Sequence, residues 1–323
     1  MQFRTEIKIA PLGIRLGYSD HILLFGSCFA DEMRERMRRA KLRAAGNFTG
    51  PLFNPASVAA LLRRAQEPAR ATAAELRQDA DGWWFHYDAN TLLSAPDPDT
   101  VLLRYNNALD TLRTLLPSAR CVIVTFGTAW VYRLREDGRI VANCHKQPQA
   151  LFRRERLSVE QIVAEWSELL AGPLAGKETI FTVSPVRHIG DGAEGNSLSK
   201  ATLRVAIAEL TERFAQAHYF PACEILMDDL RDYRFYADDL VHPSPQAVEY
   251  VWEHFAQAAL AAPTLALLPE VERLAACCAH RPRRPDSEAD RRLRCRLLDR
   301  MAELERTAGI DFSQEIAQLC GDR

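Results

Sequence analysis

Two short stretches carry side chains that could do covalent chemistry. In Gly26-Ser27-Cys28 a hydroxyl and a thiol follow one another. In Asp239-x-x-His242 a carboxylate stands three residues before an imidazole, just ahead of Pro243. An aspartate at that spacing can fold back, accept a hydrogen bond from the ring, select its tautomer and balance the imidazolium formed when the ring takes a proton. A histidine so held can serve as general base for a serine, or as partner for a cysteine. Ser27 and Cys28 are therefore alternative nucleophiles, with His242 as base and Asp239 as its orienter. Asp238 is a second candidate orienter at a less suitable spacing. The structural alternatives are a capped surface loop for DxxH and a packed thiol for Cys28.

These groups need elements to bring them together. His21 to Phe25 ends in an apolar run, as a short buried strand does. From Phe29 the spacing Phe-Ala-x-x-Met-x-x-x-Met is helical. Ser27 and Cys28 thus sit between a strand end and a helix N-terminus, where the dipole favours a thiolate. Further strands are expected at Arg43 to Asn47, Cys121 to Phe126, Glu178 to Val183 and Tyr219 to Met227. Helical patterns fall between them at Ser57 to Ala65, Asp99 to Leu116, Ser158 to Leu170 and Ser199 to Ala217, the last with Ser199 as N-cap. Such alternation specifies a parallel sheet with helices on both faces. Parallel strands bring their C-terminal ends to one edge. Each apolar run here ends in a polar cluster, so these clusters should converge.

His145, Lys146, Arg187, His188 and Lys200 belong to those clusters or lie near them. Two or more cations beside imidazoles suit an anionic or polyhydroxylated substrate. A metal site built from His145, His188, His242 and Asp239 lacks any HxH or HExxH spacing in its support. No metal or other cofactor is expected. Gly82 to Leu93 has the composition of an inserted hairpin, in which Trp83, Trp84 and His86 form either a substrate lid or a packed turn. The run from Arg231 to Tyr236 should brace the DxxH loop with ion pairs and aromatic stacking.

The totals narrow the field. At 323 residues, 47% hydrophobic and 26% charged, the chain is of ordinary globular composition. Its formal net charge of -2 gives no reason to expect nucleic-acid binding. No apolar run approaches the ~20 residues of a membrane span. The N-terminus lacks the apolar core of a secretory signal, so a cytoplasmic location is expected. The eight cysteines form no paired CxxC pattern and are expected as free thiols.

Several motifs occur in a fixed order: FGSCFA, NPASV, TFGTAWVY, NCHKQP, SPVRH, SKATL and YFPACEILMDDLRDYRFYADDLVHPS. Together they resemble the GSCFA domain family over roughly Gly26 to Phe255. That family is similar in layout to the SGNH/GDSL hydrolases. The resemblance implies an α/β fold, a flavodoxin-like or SGNH-like three-layer arrangement with a mostly parallel sheet. It implies an esterase-type hydrolase or acyltransferase acting on an ester or acyl group, with a carbohydrate among the candidate carriers. The rival is a non-catalytic binding or assembly protein that uses the same cleft. DxxH falls on Asp239 and His242. A Gly-Asp-Ser motif laid on Gly26-Ser27-Cys28 puts Cys28 at the nucleophile, whereas superfamily chemistry favours Ser27. The superfamily's oxyanion donors would fall on Gly50 or Gly46, and on Gly127 or Thr128 in place of an absent asparagine, with Asn143 as another substitute.

Residues 1–262 are expected to form this domain and residues 263–323 a helical C-terminal extension. The basic, proline-broken stretch from His280 to Pro285 reads as a linker to a detachable helical tail. That tail reads as a solvated helix with one apolar face, the alternative being a helix that binds a partner or self-associates.

Overall fold

A computed structural model describes residues 4–279 and 287–321; the stretch His280 to Pro285 lies outside the described residues. The strands are β1 (His21–Gly26), β2 (Arg43–Gly46), β3 (Leu76–Gln78), β4 (Trp84–His86), β5 (Ala119–Phe126), β6 (Trp130–Leu134), β7 (Ile140–Val141), β8 (Phe152–Arg156), β9 (Glu178–Val183) and β10 (Ala217–Tyr219). The helices are α1 (Cys28–Arg39), α2 (Pro55–Arg64), α3 (Pro98–Leu115), α4 (Val159–Ala171), α5 (Gly192–Arg213), α6 (Ala222–Glu224), α7 (Pro245–Ala259), α8 (Ala262–Ala279), α9 (Glu288–Ala308) and α10 (Ser313–Gly321).

The main sheet has the order β10-β9-β5-β1-β2, and all its neighbours are parallel. Numbered within the sheet alone, this is the 2-1-3-4-5 order of flavodoxin-like folds. Side chains alternate between faces with the period of two that strands impose. Leu23, Phe25, Val122, Val124 and Phe181 pack under α2 to α5. Ile22, Leu24, Cys121, Ile123 and Ile180 pack under α1 and α7. The result is the expected three-layer fold.

Two glycines make the strand ends possible. A Cβ on Gly26 would lie 2.1 Å from the Thr125 carbonyl oxygen, and one on Gly46 would lie 1.8 Å from that of Leu24. Their φ angles, +128° and +155°, also favour glycine. Any side chain at Gly26 would push β1 off β5 where the candidate nucleophiles begin.

Some expected elements shift. The strand expected to reach Met227 ends at Tyr219, because Pro221 has no N–H with which to extend the ladder. The chain then turns helical through α6 and a π-helical turn at Ile225–Leu230. Helix α5 starts at Gly192, so Ser199 is not its cap but a buried residue inside it. Glycines 192 and 195 hide those first turns from a propensity reading. The hairpin is β3–β4, pairing Leu76 with His86, rather than Gly82 to Leu93. His86 is buried and stacks on Tyr105 at 4.1 Å, so it is packed and not part of a lid. An antiparallel sheet, β7-β6-β8, shares a small core with this hairpin through Phe85, Tyr87, Leu134 and Phe152.

The C-terminal extension is helical, but it is not a detached tail. Val271, Leu274, Met301, Leu304, Ile310 and Phe312 are buried in the same core as Ile22 and Leu24. Arg36 of α1 reaches Glu249 of α7 at 2.6 Å and Glu272 of α8 at 2.7 Å. Lys41 pairs with Glu315 of α10. The apolar face that invited self-association is covered by this chain's own α1 layer. The eight cysteines are free. Among the described residues, no helix is long and apolar enough to cross a membrane.

Candidate active site

The turn after β1 separates the two candidate nucleophiles. Ser27 is the N-cap of α1, yet its side chain makes no capping bond. Its hydroxyl instead donates to the Ser184 hydroxyl, at the end of β9, over 2.9 Å. Ser27 is 1% exposed and Ser184 is fully buried. Cys28, the first residue of α1, is half-buried. Burial pushes its thiol above the ordinary range, although the N–H groups of Cys28 and Phe29 pull the other way. The expectation of a dipole-stabilised thiolate is thus corrected: desolvation outweighs the helix N-terminus.

The DxxH loop forms a tight local unit. Val241 and His242 donate their N–H groups to Asp239 Oδ1, each over 2.9 Å. His242 Nδ1 lies 2.6 Å from Asp239 Oδ2. These bonds hold the Asp239 carboxyl down to about 2, so it is a carboxylate at neutral pH. A carboxylate accepts only, so Nδ1 carries the proton and Nε2 is left with its lone pair outward. Asp239, not Asp238, is the residue that meets the ring. Ala237 N–H donates to the His242 carbonyl at 2.8 Å, and Arg187 N–H to that of Val241 at 3.2 Å. The Arg187 guanidinium lies over Tyr236 at 4.3 Å and Tyr233 at 5.2 Å, so the 231–236 run braces the loop mainly through aromatic faces. Asp239 and His242 are both about half exposed. Among the described residues, no hydrogen bond joins His242 to Ser27 or Cys28.

The expected oxyanion donors are committed elsewhere. Gly127 and Thr128 both donate their N–H groups to the Phe53 carbonyl at 2.8 Å. The Thr128 hydroxyl pairs with Ser199 at 3.1 Å. Gly50 N–H closes a turn onto the Asn47 carbonyl. Asn143 accepts from His145 N–H and reaches Thr91 at 3.4 Å. His145 is also scaffold: Nε2 faces the carbonyls of His86 and Ala89 at 3.0 and 3.1 Å, and the ring stacks on Phe85 at 4.2 Å. Burial lowers its pKa to about 4, so it is neutral. Lys146 follows it and is exposed, at φ +56°.

Lys200 takes a place that its neighbours in sequence do not announce. Its ammonium donates to the Gly127 carbonyl at 2.8 Å and the Ser184 carbonyl at 2.7 Å, strapping together the ends of β5 and β9. Beside it opens a cavity of about 530 Å³, whose walls include Arg187, His188, Asn196, Cys223 and Tyr233. Burial and the Lys200 charge both lower the His188 pKa. Cys223 was not among the expected site residues, because in the sequence it falls inside the strand-like run Tyr219 to Met227. Among the described residues, no group of three His, Cys, Asp or Glu is placed to hold a metal.

The sequence model of the GSCFA family matches residues 21–255, more than two thirds of the chain. This protein belongs to the GSCFA family. The GSCFA match begins with the first residue of β1 and ends in α7, so it contains the Ser27–Cys28 turn, Lys200 and the DxxH loop. Helices α8 to α10 lie outside it. No curated protein matches the chain.

Proposed function

We propose that this GSCFA protein is an SGNH-like hydrolase or acyltransferase that cleaves or moves an acyl group held as an ester, with carbohydrate esters among its candidate substrates. The observation that carries this reading is the Asp239–His242 pair at 2.6 Å, with Nε2 making no hydrogen bond among the described residues, on a loop anchored to the segment after β9. Cys28 is the preferred nucleophile, because Ser27 is enclosed and already bonded to Ser184. In the acylation step His242 Nε2 takes the thiol proton and Cys28 Sγ bonds to the acyl carbon. The ester C–O bond then breaks, and the leaving oxygen takes the proton from His242. Water or an acceptor hydroxyl reverses the sequence and frees the enzyme. A thiol raised by burial needs such a base. Catalytic hydrogen bonds are often long before substrate binds and tighten in the complex.

A second reading, a binding or assembly protein on the same fold, is favoured because no hydrogen bond joins His242 to Ser27 or Cys28 among the described residues. A panel of short acyl esters, run on wild type and His242→Ala, separates the two. An enzyme should lose at least about 100-fold in rate on losing its base. Turnover that is absent, or unaltered by His242→Ala, supports the binding protein.

A further inference from the structure

The cavity beside Lys200 gathers two cations with no acidic partner. Several other partly buried cations are ion-paired, Arg36 with Glu249 and Glu272, Arg133 with Glu155 and Lys41 with Glu315, while Lys177 rests on the carbonyls of Pro117 and Ala119. Here Arg187 and Lys200 line one space of about 530 Å³, and among the described residues lining it none is acidic. Neither cation makes an ion pair among the described residues. Arg187 is held by the faces of Tyr233 and Tyr236, and Lys200 by two main-chain carbonyls. An ammonium has three donors, and those carbonyls take two. Val186, Ile189 and Met227 supply an apolar wall.

We infer that this cavity receives an anionic group of the ligand, a carboxylate or a phosphate, with Lys200 as its enclosed cation and Arg187 as the second. The inference deepens the acyl-transfer reading by naming the charge of the substrate. His145 and Lys146, which the sequence offered for the same task, have no part in it.

Burial holds the Lys200 pKa down to about 8 in the free protein. The groups around it are Cys28 from α1, Cys223 from α6 with Glu224 and Asp228 behind it, and His188 with Asp191 and Arg154 near. An anion favours the protonated lysine, so affinity is full below about 8 and falls above it.

Calorimetric titration of the full chain with sodium sulfate and, separately, sodium acetate, at ionic strength matched with sodium chloride, tests this. Sulfate stands for phosphate and does not titrate in the range used; the tighter of the two salts identifies the anion class. Wild type should bind, and about tenfold more weakly at pH 9 than at pH 7, the ratio of protonated lysine set by a pKa of about 8. Lys200→Met should weaken binding at least about tenfold and remove the pH dependence. Arg187→Gln should weaken binding and keep that dependence, and Arg135→Gln, on an exposed residue outside the cavity, should change neither. If Lys200→Met does not fold, the wild-type pH series and Arg187→Gln decide the matter. No binding of either anion, a flat affinity from pH 7 to 9, or binding unchanged by Lys200→Met overturns the inference. The readout is binding alone, so it stands or falls separately from the ester panel.

Discussion

Ser27 and Ser184, 157 positions apart, share a hydrogen bond of 2.9 Å between their hydroxyls. It turns the first side chain after β1 into the interior and leaves the second, Cys28, half-buried at the start of α1.

The two residues should therefore respond differently to mutation. Ser27→Ala removes one of two donors to the Ser184 hydroxyl, which keeps the Val186 N–H at 3.3 Å, and should cost about 0.5–1.5 kcal/mol in denaturant unfolding while acyl transfer survives. Cys28→Ala should abolish transfer with little change in stability. Iodoacetamide should modify Cys28 slowly at pH 6, because burial raises the thiol, and faster as pH climbs past the ordinary thiol range. Mass spectrometry of the alkylated peptide reads this directly. Labelling of Ser27 by a fluorophosphonate, lost in Ser27→Ala, would reverse the assignment.

The Asp239–His242 pair should be separable from the fold. Asp239→Asn keeps the shape of the side chain but presents an amide where the ring needs a carboxylate. The expected rate loss is about 10⁴-fold, the magnitude known for the equivalent change in a serine-protease triad. Asp238→Asn should change little, since Asp239 is the residue that meets the ring. The carboxyl titrates near 2 in the folded loop against an ordinary value of 3.8. A lowered carboxylate stabilises above its unfolded pKa and ceases to do so as pH falls through the folded one. Exchange protection of the Val241 and His242 amides should therefore hold down to pH 4 and fade towards pH 2. Protection in Asp239→Asn should show no such transition.

The extension should be needed for folding. Deleting residues 263–323 uncovers the outer face of α1 and removes several fully buried side chains, each worth roughly 1.5–3 kcal/mol. Their sum rivals the whole stability of a typical domain, about 5–15 kcal/mol. The truncated chain should lose cooperative thermal unfolding, and Phe312→Ala alone should cost about 3–5 kcal/mol. A truncation with an unchanged melting curve would return the extension to the role of a tail.

The sequence by itself determined what depends on near neighbours. Apolar runs with period two and helical patterns with period 3.6 marked the sheet and most helices, because each is a local geometry repeated along the chain. DxxH was legible for the same reason: three residues suffice for a carboxylate to reach back to a ring and to two amides. Gly26 could be seen as a turn, though not that its missing Cβ is where β5 passes. What the tertiary structure alone decided are contacts between strand ends. Ser27 finds Ser184, Lys200 finds the carbonyls of Gly127 and Ser184, and Thr128 finds Ser199 only once the crossovers have set the order β10-β9-β5-β1-β2. Those same contacts took Thr128 out of the list of oxyanion donors and set Lys200 beside the cavity. The helical extension followed the same division. Its amphipathic period was plain in the sequence, but which surface covers its apolar face depended on where α1 and α7 lie in three dimensions.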